Sequence, residues 1–188
     1  MKDKTREKLI PILDKIALFF FIVLVFFLPI SGAAIEISFA FIFLAAILKA
    51  FLVKVSWEQI RTFFKNQINL AVFIFLICIG LSMLASGDLL AKSFKAWYSK
   101  WGEVILLFYF AQVFLKKKQV KILLYVFAAS GFLLCVDGIF QKITGQDFLR
   151  GYEVLSLRSW RLYGITASFK HFNNFAAYLL VLFFIILG

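Results

Sequence analysis

The chain has 188 residues, 63% of them hydrophobic and 26 of them phenylalanine, and its mean hydropathy is +0.95. A water-soluble fold of this length cannot bury that much apolar surface, so lipid has to cover much of it. The net charge of +11 would suggest a nucleic-acid partner in a soluble protein, but Lys and Arg stand here in the breaks between apolar runs, where they act as topology signals; no nucleic acid is expected. Cys78 and Cys135 fall inside apolar runs, with no CxxC pair and a single histidine in the chain, so neither a disulfide framework nor a metal site is expected.

Hydrocarbon offers no hydrogen-bond partners, so a spanning segment must satisfy its own backbone, and runs near twenty residues fit helices rather than barrel strands. The expected fold is all-α, a polytopic transmembrane bundle of about six spans in one domain, 1–188. A charged start, MKDKTREKLIPILDK, leads into the first span, about 16–30, which ends at Pro29, Ser31 and Gly32. That basic start and small-residue exit imitate a signal peptide, but the spans that follow make retention the expectation. The second span, 34–53, follows so closely that the two form a helical hairpin.

The polar stretch KVSWEQIRTFFKNQ separates it from the third span, 68–85. Trp97, Tyr98 and Trp101 then cluster as interface anchors before a short fourth span, 101–115. KKKQVK reads as a tight basic turn, the fifth span covers 122–140, an external loop covers about 141–171, and the sixth span covers 172–188. The chain ends FFIILG inside an apolar run, so it is expected to be the amino-terminal part of a longer protein. Alternating connections place 13 of the 21 Lys and Arg on the side of the N-terminus and the KKK turn, which predicts that side to be cytoplasmic. The external loop nevertheless carries five basic residues, Lys142, Arg150, Arg158, Arg161 and Lys170.

That loop is the functional candidate. Arg158 and Arg161 are three apart, so a helical turn would place both guanidinium groups on one face to grip a phosphate or pyrophosphate; the bland reading is a pair of interfacial arginines held by lipid head groups. Arg150 reads as a surface charge. His171, the only histidine, stands at the mouth of the sixth span, where it is either a proton-sharing group or simply an interfacial side chain. Asn173 and Asn174 can hydrogen-bond a sugar or cap the helix. Asp137 and Gln141, four apart, share one face of the fifth span and point into the bundle or an aqueous cavity. Neither a Gly-rich phosphate cradle nor an HExxH, GxSxG or DxD motif is present, so nucleotide-sugar or ATP chemistry has no support.

The segment RLYGITASFKHFNNFAAYLLVLFF, Arg161 to Phe184, resembles the O-antigen ligase and polymerase superfamily, in which an arginine, a glycine three residues on and an asparagine at a helix start follow an external loop. The fragments FLPISGAA, ASGD, LKKKQVK and SGFLLCVDGIFQKITGQD match the family's order of features over nearly the whole chain. FKHFNN departs from the family's Gly-Asn-Pro-Asn-like approach to the helix. The resemblance implies a membrane enzyme of GT-C-like fold in the bacterial inner membrane. It would move glycan from an undecaprenyl pyrophosphate carrier to a glycan or lipid acceptor on the periplasmic face, without cofactor or metal.

It makes Arg161, with Arg158, the pyrophosphate-binding residues and Gly164, His171, Asn173 and Asn174 motif positions, and it places the family's catalytic histidine in a later loop, so this chain alone is expected to be inactive. The rival readings are a transport or flippase component, in which Asp137 and Gln141 would line a polar path, and a nonfunctional fragment.

Overall fold

The computed structural model describes residues 3–53, 57–84, 87–157, 162–169 and 172–187. Its helices in chain order are α1 (Asp3–Phe27), α2 (Gly32–Leu52), α3 (Trp57–Lys65), α4 (Gln67–Leu84), α5 (Leu90–Ala96), α6 (Glu103–Phe114), α7 (Lys117–Thr144) and α8 (Phe172–Leu187). Strands β1 (Leu155–Leu157) and β2 (Leu162–Gly164) form a small antiparallel hairpin before α8. The fold class is all-α, as expected. Among the described residues, the segments Arg6–Phe27, Gly32–Leu52, Gln67–Leu84 and Lys117–Thr144 are long and apolar enough to cross a membrane, and two shorter apolar helices, Glu103–Phe114 and Asn173–Ile185, stand where the fourth and sixth spans are expected. Large apolar side chains project outward from these helices, with Phe51 84%, Ile143 78% and Phe132 72% exposed. Water would penalise such a surface and hydrocarbon does not. This is a membrane protein.

Several boundaries differ from the sequence reading. KKKQVK is not a turn: α7 begins at Lys117, because lysine and glutamine are good helix formers and the Gln119 side chain accepts the Lys116 N–H at 2.7 Å. At its other end α7 continues past residue 140 to Thr144, so Gln141 is helical rather than part of a loop. It stops at Gly145, whose φ of 85° suits a left-handed cap and whose N–H donates to the Gln141 carbonyl at 2.9 Å. The polar connection after α2 holds a short helix of its own, α3. The fourth span is short as a regular helix, but a π-helical turn, Trp97–Gly102, joins α5 directly to α6, and Leu90–Phe114 follows one helical path of roughly 37 Å. The described residues of the expected loop 141–171 include the last turn of α7 and the strands β1 and β2, paired in the register Leu155 to Gly164 and Leu157 to Leu162.

Where the sequence reading expects one domain, the chain divides into two compact units. The first comprises Met1–Ile16 and Ile42–Phe114. Within it Asn69, 2% exposed in the first turn of α4, donates to the Phe63 carbonyl at 3.0 Å and accepts from Gln112 Nε2 at 2.8 Å, while Tyr109 Oη donates to the Asn69 carbonyl at 3.2 Å. These bonds fix the elbow between α3 and α4 against α6. Lys49 pairs with Asp14 at 2.6 Å, donates to the Val113 carbonyl at 3.2 Å and lies 4.6 Å from the centre of the Phe114 ring. A charge among apolar helices is tolerated when it is paired in this way.

The second unit comprises Ala17–Phe41 and Leu115–Gly188. Pro29 ends α1, and the chain turns so that the Ile30 and Ser31 N–H groups both donate to the Phe27 carbonyl at 2.9 Å. Ser31 then caps α2 by accepting the Ala34 N–H at 3.3 Å. The expected helical hairpin is present, and within it Phe20 stacks on Phe41 with ring centres 4.3 Å apart. Helix α8 packs on α7 over Gly131 and Gly138, which are seven residues apart and so share a face. A Cβ on Gly131 would stand 2.3 Å from Leu182 Cδ2, and one on Gly138 would stand 3.2 Å from Phe175 Cζ, so the missing side chains set how closely the helices approach. Leu134, Ala167 and Tyr178 form the buried centre, with Phe127, Phe169 and Phe175 packed around it.

Candidate functional site

Five buried polar residues of the second unit, Asp137, Gln141, Asp147, Thr166 and Ser168, gather at the C-terminal end of α7, beside the α1–α2 corner. Gln141 is fully buried and uses both ends of its amide. Its Oε1 accepts the N–H groups of Thr166 and Ala167, each at 2.9 Å, and its Nε2 donates to the Tyr152 carbonyl at 3.0 Å and to Thr166 Oγ1 at 3.1 Å. One side chain thus joins the stretch before β1 to the stretch after β2. Ala167 is held with a φ of 45°, a left-handed conformation that costs a residue with a Cβ about 1–3 kcal/mol and persists only where its surroundings over-determine it. The Gln141 bond to its N–H and its complete burial supply that constraint.

Asp137, one turn earlier on the same face, is also fully buried. Its Oδ1 accepts the Phe148 N–H at 2.9 Å, whereas Oδ2 has no hydrogen-bond partner among the described residues. Asp147, 3% exposed, organises the turn that follows α7: its carboxylate accepts the Arg150 N–H at 2.6 Å and the Tyr152 N–H, and its own N–H donates to the Tyr152 carbonyl at 3.0 Å. Gly151 completes this turn with a φ of 70°. Two neighbouring carboxylates, one with an unfilled acceptor, therefore lie under a loop whose backbone they hold.

The α1–α2 corner accepts from three side chains, one on α7 and two in the loop that follows it. Pro29 lacks an N–H and the Ile30 N–H is diverted to Phe27, so carbonyls at this corner need donors from elsewhere. Ser130 Oγ donates to the Phe26 carbonyl at 2.8 Å, Ser168 Oγ donates to the Pro29 carbonyl at 2.8 Å, and Arg150 Nη2 donates to the Ile30 carbonyl. Arg150 also reaches Tyr152 Oη at 3.2 Å. The reading of Arg150 as a plain surface charge is corrected: it is exposed, but it fastens the loop.

Of the residues singled out from sequence, Asp137 and Gln141 do share a face, and that face meets packed protein, where Gln141 is saturated with hydrogen bonds. Gly164 ends β2 opposite Leu155. Asn173 and Asn174 are exposed inside the first turn of α8, which starts at Phe172, so neither stands at the cap position, and neither side chain has a partner among the described residues. Arg158, Arg161 and His171 lie outside the described residues. Sequence reasoning missed Ser130, Asp147, Thr166 and Ser168. Asp147 carried a usable signal, an aspartate four residues before a glycine in a turn, but small hydroxyl residues in apolar runs carry none.

Among the described residues no group of three or more His, Cys, Asp or Glu is placed to hold a metal ion. The arrangement is a hydrogen-bonded platform of backbone and buried polar groups at the end of α7, next in sequence to the paired strands β1 and β2; both candidate arginines fall in 158–161, outside the described residues. No protein-family model, curated protein or solved structure matches the chain.

Proposed function

We propose that the chain is part of an O-antigen ligase- or polymerase-like glycosyltransferase of GT-C-like fold in a bacterial inner membrane, with its N-terminus cytoplasmic. Its role would be to hold an undecaprenyl pyrophosphate-linked glycan on the periplasmic face for transfer to a glycan or lipid acceptor. One observation carries the reading. The segment that resembles the family, Arg161 to Phe184, is the one whose Thr166, Ala167 and Ser168 bond to Gln141 of α7 and to the α1–α2 corner. A pyrophosphate needs permanently charged donors, and the two arginines stand in the sequence within a few residues of this anchored stretch, which supports the reading.

The binding test uses the purified chain with undecaprenyl pyrophosphate and with undecaprenol, which has the same tail and no phosphate. Retention of the pyrophosphate at least tenfold above the alcohol is expected; equal retention of the two overturns the reading.

Orientation is tested separately with single cysteines at Lys117 and Tyr152 in a Cys78→Ser, Cys135→Ser background. A membrane-impermeant thiol reagent applied to intact inner-membrane spheroplasts is expected to label Tyr152→Cys and to leave Lys117→Cys unreacted. Labelling of Lys117→Cys from outside inverts the topology and removes the periplasmic site.

A further inference from the structure

On the face of α7 away from Gln141, the residues Cys135, Gly138, Ile139, Lys142 and Ile143 follow the i, i+3, i+4, i+7, i+8 spacing of one helical stripe. Together with Phe175 and Leu179 of α8 they line an apolar furrow of about 320 Å³. Gly138 makes the furrow possible, since its missing side chain leaves Phe175 room to lie against α7. Ile139 and Ile143 are 63% and 78% exposed along it, so its walls are open to whatever solvates the helix. At its end Lys142 and Ile143 also line a second recess of about 470 Å³, together with Thr144, Gly145 and Val154. Lys142 therefore stands where the apolar furrow meets a recess of mixed lining. It is exposed in the last turn of α7 and has no carboxylate within salt-bridge reach among the described residues.

An apolar furrow that opens beside an ammonium with no carboxylate partner among the described residues has the shape and charge of a site for an anionic amphiphile. We propose that the furrow between α7 and α8 holds an acyl chain of an anionic phospholipid, with Lys142 pairing the lipid's phosphate at its mouth. A single ammonium is a compact point charge that matches the one negative charge of a phosphodiester, whereas a pyrophosphate would leave charge unneutralised and would call for the forked donors of arginine. The exposed lysine on its flexible stem can place its charge at the headgroup level while its methylenes stay against the furrow. In the bland alternative Lys142 only complements the carbonyl end of the α7 dipole, which would give no lipid selectivity. The site is independent of the glycan-transfer reading and stands or fails separately from it.

The experiment uses the purified full chain in detergent, presented with phosphatidylglycerol, phosphatidylcholine of the same acyl composition and undecaprenyl phosphate, with bound lipid counted by native mass spectrometry. Phosphatidylglycerol is expected to be retained at least tenfold over phosphatidylcholine, and Lys142→Gln is expected to abolish that preference. Ile139→Trp, at an exposed wall, is expected to reduce retention of both phospholipids.

Position is read independently from a fluorophore on Cys135 in a Cys78→Ser background, which doxyl-labelled phosphatidylglycerol is expected to quench more strongly than doxyl-labelled phosphatidylcholine. Equal retention of the two phospholipids, unchanged selectivity in Lys142→Gln, equal quenching, or displacement of phosphatidylglycerol by equimolar undecaprenyl phosphate each overturns the proposal. The last of these would assign the furrow to the carrier.

Discussion

Gln141→Leu is expected to destabilise the second unit by about 2–4 kcal/mol and to release the segment between Gly145 and Phe169 to proteolysis. The leucine fills similar space, so little of the effect comes from a cavity. The cost is polar. Removing the amide leaves the buried N–H groups of Thr166 and Ala167 without their shared acceptor and the Tyr152 carbonyl without one of its donors. Each unsatisfied buried group costs about 1–3 kcal/mol in a protein interior, although hydrogen bonds among membrane helices measure nearer 0.6 kcal/mol on average, which sets the lower end of the range.

Ala167 adds to the loss, because its left-handed backbone is held against strain partly by this bond. Gln141→Glu should recover only part of the stability: a carboxylate still accepts both N–H groups but cannot donate to Tyr152 or Thr166, and it brings charge to a position with no exposure. The measurement is the midpoint of unfolding in mixed micelles with graded SDS, alongside timed digestion. Asn173→Ala, at an exposed position, serves as the control and should shift the midpoint by no more than about 0.5 kcal/mol. A wild-type midpoint for Gln141→Leu would show that the platform is held by packing alone.

Arg161→Lys is expected to weaken binding of undecaprenyl pyrophosphate by at least tenfold, and Arg161→Ala by more, with a corresponding loss of glycan transfer in cells that depend on the protein. The proposed role asks for a planar, permanently charged group that forms two hydrogen bonds at once to a multiply charged pyrophosphate. A charge-assisted bond contributes about 1.5–3 kcal/mol, and 1.4 kcal/mol is a factor of ten, so losing one bond of a bidentate pair already accounts for the smaller effect.

Arg150→Ala is a poor control, because Arg150 fastens the loop to the Ile30 carbonyl and its removal would disturb the platform itself. Lys118→Ala, in the first turn of α7, removes a charge without touching this loop and should leave carrier affinity unchanged. Wild-type affinity in Arg161→Lys at matched protein levels would reduce Arg161 to an interfacial anchor.

The membrane character and the all-α class were legible from residues alone, because in hydrocarbon each helix must satisfy its own backbone, and that requirement shows as local length and apolarity. The α1–α2 hairpin was legible for the same kind of reason: Pro29 stops one helix and Ser31 caps the next within a few residues. Helix ends set by competing signals were not. Gln141 and Lys142 looked like the start of a loop because they are polar, although Gly145 marked the true stop. The KKK run looked like a turn because it is charged, although lysine propagates a helix well.

The shared face of Asp137 and Gln141 followed from their spacing, but spacing cannot distinguish a cavity wall from a buried clamp, since both put a polar group on an inward face. That distinction rests on partners 25 residues away in sequence for Gln141, 104 for Ser130 and 139 for Ser168. No local pattern encodes such pairs. They exist because folding brings the carbonyls freed by Pro29, the end of α7 and the strained backbone at Ala167 to one place, where every polar group taken out of water must find another.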